Sequence, residues 1–217
     1  AVATVSSTGL VTSVADGTTT VTATSGEASD TVAVTVLQTA TSVELSDTVL
    51  TFPSLGDTAT LTATVKDAGG TAIPGVTVTW ATSDSTVATV SDGGRVTAVT
   101  NGTATITATS GDLEATAAAT VAQVASSIVL SDTVPTFASL TDTTQLTATV
   151  KDANGHEITD ATVLWATSDT TIATVSDAGL VTGVTNGTAT VTATSGSASD
   201  TAVVTVAQAA ASVTLAP

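Results

Sequence analysis

Apolar residues and threonines alternate along most of the chain. In residues 60–65 a threonine precedes each of Leu61, Ala63 and Val65, and residues 103–108 repeat the pattern. A period of two is typical of β-strands that bury one face and expose the other. Pairs such as Asn-Gly and Gly-Gly separate the alternating runs, and no helical spacing of apolar residues is visible. The pattern predicts an all-β protein.

The chain is built from an internal repeat of 85 residues. The segment 79–84, which reads TWATSD, recurs with one change as 164–169, and the alignment continues without a gap. The predicted units are residues 1–37 as the C-terminal half of a repeat, 42–122 and 127–207 as complete repeats, and 212–217 as the first strand of a further repeat. We expect the natural protein to continue in both directions.

About seven short strands in 85 residues suit an immunoglobulin-like antiparallel β-sandwich of two sheets. Aromatic residues are few, since the chain contains two tryptophans and two phenylalanines. We expect Trp80 and Trp165 to be the central packing residues of the two complete repeats, with Phe52 and Phe137 also in the core.

The run from Trp80 to Gly111 resembles the bacterial immunoglobulin-like group 2 domain. It contains WATSD, VATVSD, GRVTAV and NGTATITATSG, and the next repeat carries the same features between Trp165 and Gly196. The hairpins at 66–70 and 151–155 look more like the related group 1 domains of invasin-type proteins. The resemblance covers nearly the whole chain and implies bacterial surface adhesins, intimin-like stalks, cell-wall proteins and some phage virion proteins.

The amino-acid composition excludes several classes of binding partner. Asp and Glu number 19 against three Lys and Arg, which gives a net charge of -16 although only 10% of residues are charged. Such a chain repels nucleic acid and anionic membranes, so we expect neither nucleic-acid binding nor membrane insertion. No cysteine is present, which excludes disulfides and thiolate metal sites.

Two asparagines, Asn101 and Asn186, begin Asn-Gly-Thr segments. This pattern is an N-glycosylation acceptor, and Asn-Gly is also a preferred pair for a tight hairpin turn. The N-terminal copy has Asp16 in the same place, which keeps the turn and loses the acceptor. The comparison favours the turn.

Aspartates recur in the predicted loops, where calcium ligands or turn-forming side chains are both common. No spacing matches a known calcium loop. If calcium binds, we expect it at the junctions between repeats, with Asp47 and Asp132 as ligands; no other cofactor is expected. The single histidine, His156, corresponds to Thr71 in the other complete repeat, and no nucleophile and base are paired in the sequence, so no enzyme activity is predicted.

The linkers at 37–41, 122–126 and 207–211 are short and contain neither glycine nor proline. Such linkers restrict bending, so the repeats are expected to stack into an extended rod of roughly 30 to 40 Å per copy. Two functions of different class fit. One is a non-enzymatic spacer in an extracellular or cell-surface stalk or fibre that holds an adhesive tip away from the surface. The other is a subunit of a multi-chain filament, and a weaker third is a virion or carbohydrate-binding accessory module.

The expected partners follow from these functions. They are the neighbouring repeats of the same protein, other copies in a filament, or a host or surface receptor bound through other domains.

Overall fold

The structure is a computed structural model that describes residues 1–209 of the chain. Every regular secondary-structure element in these residues is a β-strand, which confirms the predicted all-β class. They form three units, numbered here as the first, second and third repeat. The predicted strand at 212–217 lies outside the described residues.

The first repeat contains four strands: β1 (Ala3–Val5), β2 (Val11–Ser13), β3 (Gly17–Ser25) and β4 (Ala28–Val36). The second contains nine: β5 (Ser42–Leu45), β6 (Val49–Phe52), β7 (Thr58–Thr60), β8 (Ala63–Lys66), β9 (Thr79–Thr82), β10 (Ala88–Val90), β11 (Arg95–Ala98), β12 (Gly102–Ser110) and β13 (Leu113–Val121). The third contains their nine counterparts: β14 (Ser127–Leu130), β15 (Thr136–Phe137), β16 (Thr143–Gln145), β17 (Ala148–Lys151), β18 (Leu164–Thr167), β19 (Ala173–Val175), β20 (Leu180–Gly183), β21 (Gly187–Ser195) and β22 (Ala198–Val206).

Each complete repeat is a sandwich of two sheets. In the second repeat one sheet has the order β6-β13-β12-β9, and the facing strands are β10-β11-β7 and the pair β5-β8. β7 and β8 are successive parts of one extended segment. The segment is interrupted at Leu61, whose N–H donates to the Gly94 carbonyl (2.9 Å). The third repeat has the same orders in its own strands. This is the immunoglobulin-like arrangement that the alternation predicted.

The first edge segment of each complete repeat changes sheets. β5 pairs antiparallel with β8, and after residues 46–48 the chain continues in the same direction as β6 and pairs parallel with β13. The Thr48 carbonyl accepts the Ala118 N–H (2.9 Å) at this crossover. The sandwich is therefore antiparallel apart from one parallel pair, because the crossing segment keeps its direction while its partner strand changes.

Small side chains fill the space between the sheets. The fully buried residues of the second repeat include Leu61, Val96 and Ile106, and the rest of the core is mainly alanine and valine. The third repeat has the equivalent cluster around Leu146 and Val191. Because alternate residues of each strand face this layer, the register of a strand decides which of its two faces is buried.

The aromatic residues divide into two groups. Phe52 and Phe137 are buried, with 4% and 5% of their surface exposed. Trp80 and Trp165, expected as the central packing residues, pack against the core clusters of their repeats but are only partly buried. The reason is their position, since β9 and β18 are the edge strands of their sheets. The rings lie against the backbone of Gly94 and Gly179.

Gly94 allows this close approach. Its φ is +75°, and a Cβ atom there would overlap the Leu61 carbonyl oxygen and lie 2.9 Å from Trp80 Cζ2. Gly93, the preceding residue, lacks a positive φ. A Cβ atom added there would have Ser91 Oγ as its nearest neighbour, at 3.9 Å. The two glycines therefore form a matched pair for testing the packing.

Gly94→Ala should lower the free energy of unfolding of the second repeat by about 2 to 4 kcal/mol, because left-handed strain and overpacking each cost about 1 to 3 kcal/mol. Urea unfolding followed by Trp80 fluorescence, in a Trp165→Phe background, measures this repeat separately. Gly93→Ala should change the free energy by less than about 0.5 kcal/mol. Equal effects of the two substitutions would contradict the assigned role of Gly94.

Candidate functional site at the joint between repeats

A glutamine occurs in each linker at the 85-residue period. Its backbone N–H donates to the side-chain oxygen of the residue that precedes the turn glycine of its own repeat. The three pairs are Gln38 with Asp16 (2.7 Å), Gln123 with Asn101 (2.9 Å) and Gln208 with Asn186 (2.8 Å). An oxygen acceptor is all that this bond needs, so aspartate and asparagine serve equally.

These bonds explain the Asn-Gly segments. The turn at Asn101 joins β11 to β12, which belong to opposite sheets, so it is not the hairpin that Asn-Gly suggested. Asn101 Nδ2 also donates to Gln123 Oε1 (3.1 Å). The asparagine therefore anchors the linker to the end of its repeat, and glycosylation of Asn101 and Asn186 stays the alternative that the sequence disfavours.

The side chain of Gln123 continues across the joint. Its Nε2 donates to Asp152 Oδ2 of the third repeat (2.9 Å) and to the Glu157 carbonyl (3.4 Å). One residue thus connects the turn of the second repeat to the tight turn that follows β17 in the third repeat. A glutamine with both ends bonded cannot rotate freely, so it fixes the direction in which the chain enters the next repeat.

Asp152 is the centre of the joint and exposes only 2% of its surface. Oδ2 accepts the Leu55 N–H of the preceding repeat (2.9 Å) as well as the Gln123 amide, and Oδ1 accepts the N–H groups of Asn154 (3.0 Å) and His156 (2.9 Å). Burial raises the pKa of the Asp152 carboxyl, but these hydrogen bonds stabilise the charged form more strongly and hold the pKa below its ordinary value.

Asn154 supplies a second connection. Its Nδ2 donates to the Leu55 carbonyl (2.9 Å) and to Asp57 Oδ1 (2.9 Å), both in the second repeat. Asn154 therefore contacts a carboxylate of each repeat, since its side-chain amide donates to Asp57 and its backbone N–H donates to Asp152. We call Gln123, Asp152, Asn154 and the loop 54–57 the joint clasp.

The first joint contains only part of this arrangement. Gln38 Nε2 donates to Asp67 Oδ2 (3.0 Å), and the hydrogen bond from Gln38 and that from the Thr71 N–H lower the pKa of Asp67. Gly69 stands where the third repeat has Asn154 and has no side-chain amide. The core of the clasp, a linker glutamine on a hairpin aspartate, is thus present at both joints.

Asp47 and Asp132 were predicted at the junctions, and the structure places them elsewhere. Both belong to the crossover between the first two strand segments, beside the middle of the last strand rather than its end, as the bond between Thr48 and Ala118 shows. Asp132 Oδ1 accepts the Val134 N–H (2.9 Å), which is an ordinary turn contact. Across residues 1–209 no three His, Asp or Glu side chains lie close enough together to hold a metal ion, and calcium binding stays the alternative that the sequence left open.

The sequence contains a signal for the clasp in the spacing of two polar residues. Gln38 and Asp67 are separated by 29 residues, and so are Gln123 and Asp152. Each of these residues recurs at the repeat period, but a glutamine in a linker and an aspartate in a hairpin are also ordinary surface residues. Only the fold shows that the two places meet.

Two complete sandwiches and a further half, joined through the clasp, define a tandem array of immunoglobulin-like domains. The chain belongs to the bacterial Ig-like domain (group 2) family, whose model matches residues 39–121 and 126–206. Residues 1–38 match a second model, described as a bacterial Ig-like domain. The resemblance inferred from the sequence is confirmed.

The chain is 34% identical over 202 residues to ice-binding protein 1 of Shewanella frigidimarina (strain NCIMB 400). That match covers 89% of this chain and 22% of the relative, so the chain spans about a fifth of the relative's length. Two similar solved structures are domains 1-6 of the surface layer protein SbsC (21% identity, TM-score 0.40, 96% of this chain and 37% of that chain) and the Escherichia coli adhesin FdeC (22% identity, TM-score 0.42, 82% and 69%).

The part of the chain that the structure describes contains no helix long and apolar enough to cross a membrane.

Asn154→Gly, which copies the first joint, should loosen the second joint without unfolding either repeat, because it removes two hydrogen bonds across the interface. Since the chain has no cysteine, spin labels on Thr89→Cys and Thr174→Cys, equivalent exposed positions, report the inter-repeat distance. The distance distribution should broaden. Gly69→Asn, at the first joint, is the matched control and should leave it unchanged; a distribution unaffected by Asn154→Gly would contradict the clasp.

The second joint should also loosen in acid. The folded pKa of Asp152 is lowered, so its contribution to docking is complete above the ordinary aspartate pKa of about 4 and is lost as the pH falls through the lower docked value. His156, Asp57 and Glu157 are the other titratable residues around it. The amide NMR shift of Leu55, whose N–H Asp152 accepts, measures the transition.

Asp152→Asn should remove the acid transition, since an amide does not titrate in this range, and should weaken docking at every pH because an NH2 group then faces two donors. A transition with its midpoint above pH 4, or one that persists in Asp152→Asn, would contradict the assignment.

Proposed function

We propose that this tandem array is a non-enzymatic spacer in an extracellular or cell-surface stalk or fibre, where it holds a binding region away from the surface. The observation that supports the proposal best is the joint clasp. A flexible tether needs no bonded residue in its linker, whereas here the linker glutamine is bonded to the repeat before it and to the repeat after it. Restricted joints convert a series of small domains into a semi-rigid rod.

The dimensions suit this function. The longest strands contain nine residues, and at about 3.3 Å per residue each spans roughly 30 Å. Adding the loops at each end, one repeat extends the rod by roughly 30 to 40 Å. Reach is then set by the number of repeats, which can change by whole units of 85 residues without altering the fold of any one of them.

The surface is consistent with an exposed, soluble rod. The outward side of β12 carries Thr103, Thr105, Thr107 and Thr109, while alanine and isoleucine alternate with them on the buried side. Acidic residues dominate the charge. Like-charged rods repel one another, which keeps neighbouring stalks apart. We place the protein outside the cell or on its surface, with its neighbouring repeats as the first partners and receptor binding assigned to other regions.

Electron microscopy of the parent protein on its native surface tests the proposal. The expected image is a thin rod with one bead per repeat that ends in a distinct tip. A thick continuous filament that contains many chains would overturn the spacer and favour a filament subunit. The same images taken with a chelator test separately whether the joints depend on calcium, since only calcium-dependent joints would bend.

Deletion of residues 42–126 removes one period in register and should shorten the rod by roughly 30 to 40 Å. Surface attachment should fall because the tip is held closer to the surface. Replacing the second repeat by a duplicate of the third keeps the length and should restore attachment. If the duplicate fails to restore it, the second repeat carries a specific binding surface and is more than a spacer.

A further inference from the structure

Every asparagine of the chain is followed by glycine. The three pairs are Asn101-Gly102, Asn154-Gly155 and Asn186-Gly187. All three asparagines are exposed to water. Asn-Gly pairs deamidate spontaneously in water, because glycine has no side chain to obstruct the approach of the asparagine side chain to its backbone nitrogen. The structure distinguishes the three pairs by the room around the glycine and by the groups that the asparagine side chain contacts.

Among these pairs, the one in the joint clasp has open space at its glycine. Gly155 has a φ of +83°, and a Cβ atom added there would have no neighbour within 4 Å. At Gly102 the same atom would lie 2.9 Å from Val87 Cγ2, and Gly187 is equally crowded. Deamidation passes through a ring that forms at the glycine nitrogen, beside this position. Asn154 is therefore the asparagine with the most room to react.

The side-chain contacts distinguish the pairs a second time. Asn101 and Asn186 use Oδ1 to accept the N–H of a linker glutamine, and Asp16 does the same in the first repeat. Asn154 uses Nδ2 instead, which donates to a backbone carbonyl and to Asp57 Oδ1 of the preceding repeat. Both of these partners are acceptors. A carboxylate at position 154 would lose both bonds and repel Asp57, whereas a carboxylate at position 101 or 186 would keep its bond to the glutamine N–H.

We propose that Asn154 is a deamidation site whose reaction is controlled by the joint and whose product keeps the joint open. While the repeats are docked, two hydrogen bonds hold the Asn154 side-chain amide against the preceding repeat. When the joint opens, the side chain is free to turn toward the Gly155 nitrogen. Docking thus protects the residue, and each opening exposes it to a reaction that is not reversed. The proposal concerns the joint and is independent of the spacer function.

The reaction is a hydrolysis in two stages and needs only water. The Gly155 nitrogen attacks the Asn154 side-chain carbonyl carbon, and a five-membered succinimide ring forms as the bond from that carbon to Nδ2 breaks. The proton displaced from the Gly155 nitrogen leaves with Nδ2 as ammonia. Water then opens the ring to aspartate or isoaspartate, so an amide becomes a carboxylate and nothing is oxidised or reduced. The Gly155 N–H donates to the Asp152 carbonyl (3.1 Å), so this turn bond must open as well.

The test incubates the full chain and its Gln123→Ala variant at mildly alkaline pH and follows each asparagine by peptide mass spectrometry. Gln123 bonds Asp152 across the joint and leaves Asn154 untouched. Its removal should raise the rate at Asn154 by about threefold or more, because the loss of a hydrogen bond favours the open joint. Asn186, in the same repeat but outside this joint, is the internal control and should react equally in both chains. Equal rates at Asn154, a parallel rise at Asn186, or no conversion of Asn154 in either chain overturns the proposal.

A second arm examines the product directly. Asn154→Asp should broaden the inter-repeat distance distribution, measured with the same pair of spin labels, and should broaden it more than Asn154→Gly does. The reason is that aspartate adds repulsion from Asp57 to the loss of two bonds. Asn101→Asp is the matched control and should leave the distribution unchanged, as the aspartate of the first repeat indicates. A distribution as narrow in Asn154→Asp as in the original chain would overturn the proposal, since the product would then have no effect on the joint.

Discussion

Two sheets that face each other through alanine and valine can approach closely, and most features of the repeat follow from this thin core. Side chains such as Ala88, Ala104 and Ala119 leave little space between the sheets, and the one aromatic ring that each complete repeat buries there is a phenylalanine, Phe52 or Phe137. Tryptophan is placed at the rim, where a glycine with a left-handed backbone provides the necessary room. A thin core also buries little apolar area per residue, so each repeat depends on complete coverage of the inner faces of its two sheets.

At the joint between repeats, polar groups specify the orientation of one repeat relative to the next. A linker between two small domains usually leaves their orientation free, since the interface is too small to fix it. In this chain a buried carboxylate collects four hydrogen bonds, and two of them come from the preceding repeat and its linker. Charge-assisted bonds of this kind are directional, which a patch of apolar contacts is not. Orientation is thus specified by few residues, while most of the surface of each repeat remains free to vary.

The sequence predicted the features that arise from local pattern. The alternation in residues 103–109 determined β12 and its buried face, and the 85-residue period determined the copies. It did not predict which sheet a strand joins, so the crossover after Leu45 was missed and Asp47 was assigned to the wrong place. It did not predict that Trp80 is only partly buried, because residue type indicates burial but not distance from the sheet edge. The clasp was missed because Gln123 and Asp152 come together only through the path of the linker.

The parallel pairing between the crossing segment and the last strand has a mechanical consequence. Tension along the chain enters a repeat near the first of these strands and leaves by the last, so it loads their mutual hydrogen bonds in shear, all at once. In the second repeat the pairing extends over four residues of β6, but in the third only over two of β15. Pro135 replaces Leu50 there and has no N–H to donate. We therefore expect the third repeat to yield before the second under a pulling force, so that a stretched molecule lengthens in steps while its other repeats stay folded.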